Sequence, residues 1–419
     1  MVSEAHNDES DEARSWAGDF DPLNEDGERK VLFAAFDSFR QYRRTAHLNT
    51  THRRRQAFYA LPAAHWQMLA EPPFSLLENF NKVDDAIDVN SEIADSILAT
   101  GLSSFGLAAN PDRSDPRQNW HGVASASDVN KAHSTIRQFY RDWSSEGRGE
   151  RDASYGPVLR DLDREFRNRL NEEEPVRVLV PGAGLGRLVF DICQAGFDAE
   201  GNEISYHQLL ASSWVLNHTL GPQCHELYPF ALHFSNILSR EQQLKKILFP
   251  DVHPGAAMME AQSNGHTPFG TMSMSAADFV VLYSQPSQRN AFDAVATVFF
   301  IDTAPNLIRY IETIRNCLRP NGIWINNGPL LWHFEDGNQR IHSENSDNGQ
   351  NQGIGEPGSV ELTEEEVFCL VERMGFKIEQ RQTLEQRAEC GYIQDPDSML
   401  RPLYRPSHWI ARAIEKTEL

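Results

Sequence analysis

The sequence predicts an α/β protein in which a parallel sheet built from βα units follows an N-terminal helical domain. Beyond residue 173, short apolar and β-branched runs alternate with amphipathic stretches, which is the pattern of a parallel sheet. A glycine-rich turn at residues 182–186 directly follows the first run, as expected where a strand passes into a helix at a ligand site. Before residue 172, apolar residues instead recur at helical spacing, which predicts helices.

Composition excludes several classes of protein. The chain has 419 residues and a formal net charge of −21, so its surface as a whole repels nucleic acid and anionic membranes. Its five cysteines form no CxxC pair, which predicts neither a zinc site nor a disulfide framework and indicates a reducing compartment. No apolar run approaches the roughly 18 residues that span a bilayer. We expect a cytoplasmic protein, with the nucleus as a second location, that holds no metal and binds neither nucleic acid nor membrane.

The chain begins with two predicted segments. Residues 1–29 are acidic and poor in apolar residues, which predicts a disordered tail. Residues 30–172 form the predicted helical domain that covers the cofactor. Its first part, Val31 to Trp66, carries interleaved arginines; we interpret these as the solvated face of an amphipathic helical pair, with a patch for nucleic acid or an acidic partner as the alternative. Leu76 to Leu102 is also predicted to be helical.

The next predicted helix begins at the cap Asp128 and ends at Trp143. Gln138 and Arg141 are three residues apart and therefore share one face of it. Another helix is predicted for Pro157 to Leu170.

Residues 173–419 are predicted to form the cofactor-binding domain. Two polar stretches within it, 254–271 and 337–358, are rich in Gly, Asn, Gln and Ser and are predicted to be mobile loop insertions. The predicted strands are Val176 to Val180, Asp198 to Glu203, a third strand ending before Ser275, Phe292 to Phe299, Ile323 to Asn326 and Phe376 to Gln380.

The glycine turn and an acidic residue predict the cofactor. Gly182, Gly184 and Gly186 have the spacing GxGxG, which is typical of S-adenosylmethionine sites, whereas dinucleotide sites use GxGxxG. Glu203 ends the second strand, where a carboxylate can accept hydrogen bonds from both ribose hydroxyls. The alternatives are a structural glycine turn and a helix cap at Glu203.

Two later strand ends complete the predicted site. Asp278 and Phe279 follow the third strand, where they would contact the adenine, although such a pair also commonly starts a helix. Val298 lies near the end of the next strand, and Asp302 follows it. Ligands of open α/β sheets bind at these carboxyl ends, so this edge is the predicted catalytic one. The alternative for Asp302 is capping of the following helix.

With these residues, the chain resembles the carnosine N-methyltransferase family. The resemblance covers most of residues 130–335 and thinner stretches beyond, and it implies a Rossmann-like class I methyltransferase sheet with an N-terminal helical domain. The runs that carry it are QFYRDWS at 138–144, LVPGAGLGRL at 179–188, GNE at 201–203, FFIDTA at 299–304 and residues 322–335, of which GPLLWHFE at 328–335 is the most specific.

The resemblance also implies the reaction and the site residues. It implies methyl transfer from S-adenosylmethionine to Nδ1, the pros nitrogen, of the histidine in carnosine, giving anserine, or in related peptides. The implied cofactor contacts are Gln138, Arg141, Gly182, Glu203, Asp278 and Phe279, to which the strand pattern adds Gly184 and Val298. The implied substrate contacts are Asp302, His333, Tyr392 and Tyr404, with Asp302 and His333 also catalytic.

Three other functions remain as alternatives. The imidazole could belong to a histidine in a protein, because the reacting atom is the same. A nucleotide-binding oxidoreductase is disfavoured by the GxGxG spacing, and a non-catalytic cofactor-binding scaffold by the intact set of site residues. The expected partner is a small His-containing peptide, with protein substrates and a homodimer as further candidates.

Overall fold

A computed structural model describes residues 21–169, 174–264, 269–334 and 358–414. The strands are Arg177–Pro181 (β1), Asp198–Glu203 (β2), His225–Leu227 (β3), Ile247–Phe249 (β4), Met272–Ala276 (β5), Phe292–Val298 (β6), Leu318–Gly328 (β7), Phe376–Arg381 (β8) and Ser407–Ala413 (β9). Seven of them form a central sheet with the order β5-β2-β1-β6-β7-β9-β8, and β3 and β4 form a separate antiparallel pair.

The direction of the strands locates the site. β1 pairs in parallel with both β2 and β6, and β6 pairs in parallel with β7. Among the described strands of this sheet, only β9 is reversed, because it is antiparallel to both β7 and β8. The chain order turns back between β1 and β6, and ligands bind outside the carboxyl ends at such a point. The predicted fold class, a Rossmann-like sheet after N-terminal helices, is confirmed.

Helices precede the sheet and cover it. Those before β1 are Asp26–His47 (α1), Arg53–Tyr59 (α2), Ala63–Ala70 (α3), Leu76–Ser104 (α4), Ala126–Trp143 (α5), Arg148–Ser154 (α6) and Gly156–Phe166 (α7). Those after it are Arg187–Gln194 (α8), Tyr206–Asn217 (α9), Arg240–Gln243 (α10), Pro254–Asn264 (α11), Phe279–Tyr283 (α12), Leu307–Cys317 (α13) and Glu364–Arg373 (α14).

The N-terminal helices and the sheet layer share one apolar core. Phe36 of α1 and Phe139 of α5 belong to the same buried cluster as Leu210 and Trp214 of α9. The Phe139 ring lies 5.5 Å from the Trp214 ring. Burial of large aromatic side chains contributes roughly 1.5–3 kcal/mol each, so this shared core fixes α5 against the carboxyl edge of the sheet.

The start of α5 differs from the prediction. Ser125 is the N-cap, and Asp128 lies at the third helical position, where its carboxylate accepts from the Ser125 backbone N–H at 2.8 Å. Both residues are good caps, and the reciprocal pair forms a capping box. The sequence pattern therefore predicted the helix correctly and its first residue wrongly.

Two predicted segment boundaries are also wrong. α1 begins at Asp26, inside the predicted tail of residues 1–29, where Arg29 donates to the Leu23 carbonyl at 2.8 Å; residues 1–20 lie outside the described part. Residues 254–264 form α11 rather than a loop. Ala, Met and Glu in that stretch favour a helix. The second predicted insertion, 337–358, lies outside the described residues except for Gly358.

Several arginines of α1 and α2 are paired with acidic or polar groups. Arg55 lies 2.6 Å from the Asp84 carboxylate of α4, and Arg43 donates to Ser91 at 2.8 Å. These contacts favour the amphipathic interpretation over a patch for nucleic acid. Among the described helices, none is both long and apolar enough to cross a membrane.

Candidate active site

A cavity of about 370 Å³ opens at the carboxyl ends of β1, β2 and β6, and its volume lies in the range of small-ligand sites. The predicted residues that line it are Gln138, Arg141, Gly182, Gly184, Glu203, Phe279, Val298, His333 and Tyr392. Asp278, Asp302 and Tyr404 do not line it.

The glycine turn needs glycine for conformation and for space. Gly182, Gly184 and Gly186 have φ of +69°, +55° and +76°, a region that other residues adopt only with strain. A Cβ at Gly182 would lie 2.6 Å from the Phe300 ring, and one at Gly184 would lie 3.1 Å from the Gln138 amide nitrogen. The backbone of the turn thus lies close to α5. Without side chains at these positions, a bound nucleoside can come close to the backbone.

We expect Gly182→Ala to lower the free energy of unfolding by about 1–3 kcal/mol more than Gly106→Ala. Gly106 has φ +64°, but a Cβ added there would have nothing within 4 Å, so it shares the backbone strain and lacks the steric contact. The Phe300 ring stacks 5.0 Å from the Tyr310 ring and has little room to move. Urea denaturation of both variants measures the difference, and equal losses would contradict the steric argument.

Glu203 is held at the end of β2 by the main chain. One carboxylate oxygen accepts from the Gly184 N–H at 2.9 Å, and the other accepts from the Ile204 and Ser205 N–H groups at 2.8 Å each. These bonds fix both oxygens at the cavity wall, and a carboxylate oxygen can accept more than one hydrogen bond. The N-cap of α9 is Ser205, so Glu203 is not the helix cap that the alternative required.

The adenine end of the predicted site is aromatic. Phe279 is buried against Phe300 and Tyr310, with each ring 5.5 Å away, and all three side chains line the cavity. Asp278 is the N-cap of α12, where one of its oxygens accepts from the Val280 and Val281 N–H groups. The helix-start interpretation of Asp278 is therefore observed, and its contact with adenine stays a prediction.

Helix α5 contributes a buried polar network. Arg141 binds the Asp142 carboxylate through two hydrogen bonds, of 2.7 and 3.1 Å, while Gln138 and Tyr155 donate to the same carboxylate at 3.0 and 2.8 Å. Burial opposes the charge of Arg141, but Asp142 raises the arginine pKa well above its ordinary value. The Arg141–Asp142 ion pair is thus buried and does not lie at the surface of the helical layer.

This network also fits the cofactor's amino-acid end. Asp142 occupies two of the five N–H donors of Arg141, and the guanidinium remains part of the cavity wall. A planar guanidinium binds carboxylates in defined geometry. The glycine turn, Glu203, the aromatic rings and Arg141 therefore present, in one cavity, the groups that suit S-adenosylmethionine.

Asp302 and His333 lie together beside this cavity. Asp302 follows β6, and one of its carboxylate oxygens accepts from the Leu331 N–H at 2.9 Å and lies 3.9 Å from His333 Nδ1. The His333 backbone N–H donates to the Asp302 carbonyl at 3.1 Å. The helix after Asp302 is capped by Asn306, so the capping alternative for Asp302 is wrong.

Burial distinguishes the two residues. Asp302 is 1% exposed, and its second oxygen has no hydrogen-bond partner among the described residues. Burial raises the pKa of this carboxyl group. Because Asp302 lies behind the lining residues rather than among them, contact with a substrate needs a side-chain rotation of Asp302 or of the half-exposed His333.

The two C-terminal tyrosines have different positions. Tyr392 lines the cavity, with its ring 5.4 Å from the Phe299 ring and the Arg141 guanidinium 4.9 Å from its centre. Tyr404 packs edge-on to Phe299 at 5.9 Å and pairs through its backbone with Cys390. Phe299 itself has φ +51°, and such strain concentrates at functional sites. Direct substrate contact by Tyr404 does not fit this position, since Phe299 and not Tyr404 faces the cavity.

Comparison with known proteins matches this site to one family. Residues 118–415 match the family model described as carnosine N-methyltransferase. The chain belongs to the carnosine N-methyltransferase family. Relatives described by that name include those of Schizosaccharomyces pombe, at 35% identity over 94% of this chain and 98% of the relative, and of Mus musculus, at 36% identity over 84% and 79%. The Drosophila melanogaster relative is 38% identical over 67% of this chain and 55% of its own length.

Solved structures match the chain at low similarity. They include an S-adenosylmethionine-dependent methyltransferase from Methanosarcina mazei, with 14% identity and a TM-score of 0.34 over 59% of this chain and 97% of that one. Another is the magnesium protoporphyrin IX methyltransferase of Synechocystis, solved with S-adenosylhomocysteine, with 13% identity and a TM-score of 0.33 over 67% and 93%.

The matches to the family model and to these relatives confirm the predicted family and the predicted class of enzyme, a methyltransferase. The family model matches from residue 118 onward, twelve residues before the resemblance found in the sequence begins. Sequence reasoning missed Tyr155, Phe300 and Tyr310, which line the cavity, and the buried Asp142 that binds Arg141. Asp142 and Phe300 lie inside the runs 138–144 and 299–304 and could have been found there, whereas Tyr155 and Tyr310 reach the site only through packing. Glu335 lies outside the described residues.

Proposed function

We propose that this protein transfers a methyl group from S-adenosylmethionine to Nδ1 of the histidine imidazole in carnosine or a related small peptide. The observation that carries the proposal is the Asp302 and His333 pair, beside a cavity that also contains the glycine turn and Glu203. Membership of the carnosine N-methyltransferase family supports the same substrate class.

The residues present support a division of roles within the cavity. Glu203 would accept from the ribose hydroxyls, Phe279 would pack on the adenine, and Arg141 would bind the methionyl carboxylate. When bound, the cofactor supplies a methyl group already activated by the sulfonium. The protein's main contribution is therefore alignment and exclusion of water rather than strong base catalysis.

Asp302 would select the reacting nitrogen. An imidazole has an ordinary pKa near ~6.5, so at neutral pH most of it is the neutral nucleophile. If the Nε2–H donates to the second Asp302 oxygen, the Nδ1 lone pair is the one available. Transfer of the methyl group from the sulfonium to Nδ1 would make the imidazole ring a cation, which the Asp302 carboxylate would stabilise. Loss of the Nε2 proton then gives neutral product.

His333 would orient the substrate at the mouth of the site. Its side chain is 57% exposed, and its backbone is tied to Asp302. Rotation of the imidazole would open the path to the Asp302 carboxyl without moving the main chain. This role makes His333 a contact with the peptide, while Asp302 contacts the reacting ring.

The test is incubation of the purified protein with methyl-labelled S-adenosylmethionine and carnosine, followed by location of the label by NMR. The expected product carries the methyl on Nδ1. Label on Nε2 of carnosine would contradict the assignment of Nδ1 as the reacting nitrogen. No product from carnosine, while a pool of His-containing protein peptides is methylated, would contradict the proposal and favour a protein substrate. A thermal shift with S-adenosylmethionine but no turnover of any His-containing compound would favour the scaffold alternative.

A further inference from the structure

The turn that carries Tyr392 is held by the N-terminal helices. Glu150 of α6 accepts two backbone hydrogen bonds from this turn, from Ile393 N–H at 2.8 Å and from Gln394 N–H at 2.6 Å. Arg137 of α5 donates to the Ile393 carbonyl at 3.2 Å. Side chains of two helices thus bind three neighbouring main-chain groups of the turn: the Ile393 N–H, the Ile393 carbonyl and the Gln394 N–H.

The geometry of the turn needs such support. Ile393 has φ +53° and is buried, a conformation that is rare and strained for a β-branched residue. A Cβ at Gly391 would lie 2.7 Å from a Glu150 carboxylate oxygen, so the glycine is what lets the carboxylate approach. Glu150 therefore ties the backbone of this strained turn to α6.

Tyr392 lies between the fixed residues and is the part of the turn that projects into the site. Its ring contacts Phe299 at the end of β6 and lies under the Arg141 guanidinium. Phe299 is three residues before Asp302. Displacement of the turn would therefore move the aromatic wall nearest to the proposed substrate end of the cavity, while the glycine turn and Glu203 lie on other elements.

We infer that Glu150 is a positioning residue for substrate binding, which acts by fixing the 391–394 turn so that the Tyr392 ring packs against Phe299 beside the imidazole site. The inference rests on the proposed function. It assigns a role to a half-buried carboxylate that does not line the cavity. Burial raises the pKa of Glu150, and the hydrogen bonds from the Gln394 and Ile393 backbones counter part of that effect.

The test is Glu150→Gln, whose amide can accept from only one of the two N–H groups. We expect KM for carnosine to rise about tenfold and kcat to change less than about twofold. The Kd for S-adenosylmethionine should rise less than KM does, because Tyr392 also contacts Arg141. Hydrogen exchange of the Ile393 and Gln394 amides should become faster. Glu146→Gln, on an exposed glutamate just before α6, is the matched control and should leave all four quantities unchanged.

A double-mutant cycle separates positioning from general stabilisation. In a Tyr392→Ala background, Glu150→Gln should change kcat/KM less than about twofold, because the ring it positions is absent. An undiminished effect in that background, or unchanged KM and exchange in the single variant, would overturn the inference. Failure of the proposed function differs, because it would appear as absent turnover of carnosine by the unaltered protein.

Discussion

Replacing Asp302 with asparagine should lower kcat by at least about 10²-fold, the scale on which a single preorganised charge or hydrogen bond acts at a reacting centre. The amide oxygen can keep the bond from the Leu331 N–H. The amide nitrogen, however, cannot accept from an imidazole N–H and offers no charge to the cationic product. Affinity for S-adenosylmethionine should be unchanged, because Asp302 is not among the predicted cofactor contacts and does not line the cavity. Single-turnover rates and calorimetry measure the two effects.

The same substitution should stabilise the fold at neutral pH. Burial raises the pKa of Asp302 in the folded protein, so the group favours folding while it is protonated, and this contribution is lost as the pH rises through the folded pKa. Above that pH the buried charge opposes folding. Asp302→Asn removes this cost and should raise the free energy of unfolding by about 1–3 kcal/mol at pH 7, with the gain shrinking as the pH falls toward the ordinary carboxyl value of about 3.9.

A surface variant provides the comparison. Asp152 is exposed and lies 3.7 Å from Arg148, so Asp152→Asn should change neither activity nor the pH dependence of stability. Two outcomes would count against the role of Asp302. One is full activity of Asp302→Asn, and the other is loss of activity together with a fall in the unfolding temperature, which would indicate disruption of the site rather than loss of the carboxylate.

Glu203→Ala should weaken S-adenosylmethionine binding by about 10²-fold. Hydrogen bonds to a charged group contribute roughly 1.5 kcal/mol or more each, and two ribose hydroxyls would lose their acceptor. The substitution also leaves the N–H groups of Gly184, Ile204 and Ser205 without their present acceptor. We therefore expect a lower unfolding temperature as well. Titration calorimetry measures the affinity.

Glu226→Ala serves as the control for this experiment. Glu226 is exposed on β3 and pairs with Lys246 at 2.7 Å, a surface ion pair whose loss should have little effect. Glu203→Asp tests the geometry, since the shorter side chain keeps the charge but cannot reach both the Gly184 and the Ser205 N–H groups. A folded Glu203→Ala variant that binds the cofactor with unchanged affinity would remove Glu203 from the site.

The local parts of the site could be predicted from the sequence. The glycine turn and Glu203 each depend on a strand and the turn that directly follows it, so short spacing was enough to place them. The exit of β6 likewise indicated Asp302. Its burial, however, depends on Leu331 and His333, which follow a different strand, and spacing along the chain carries no information about that contact.

Parts of the structure that depend on distant contacts could not be predicted. The helix α11 begins at a proline and includes glycine, and its polar composition resembled that of a loop. Strand β9 follows an irregular, proline-containing stretch, and its pairing with β7 is visible only in the folded sheet. Tyr392 was found by resemblance, but the pattern gave no sign that Glu150, more than two hundred residues earlier, fixes its position.

The position of β9 has a consequence for how the protein is made. Among the described strands, β8 pairs only with β9, and β9 lies between β8 and β7. On the ribosome, residues 376–381 emerge before residues 407–413, so β8 has no strand to join until the later segment has been synthesised. Until then, the edge of β7 is open to pairing with other chains, which is a known route to aggregation. A nascent chain paused before residue 407 should therefore be the form that most needs a chaperone.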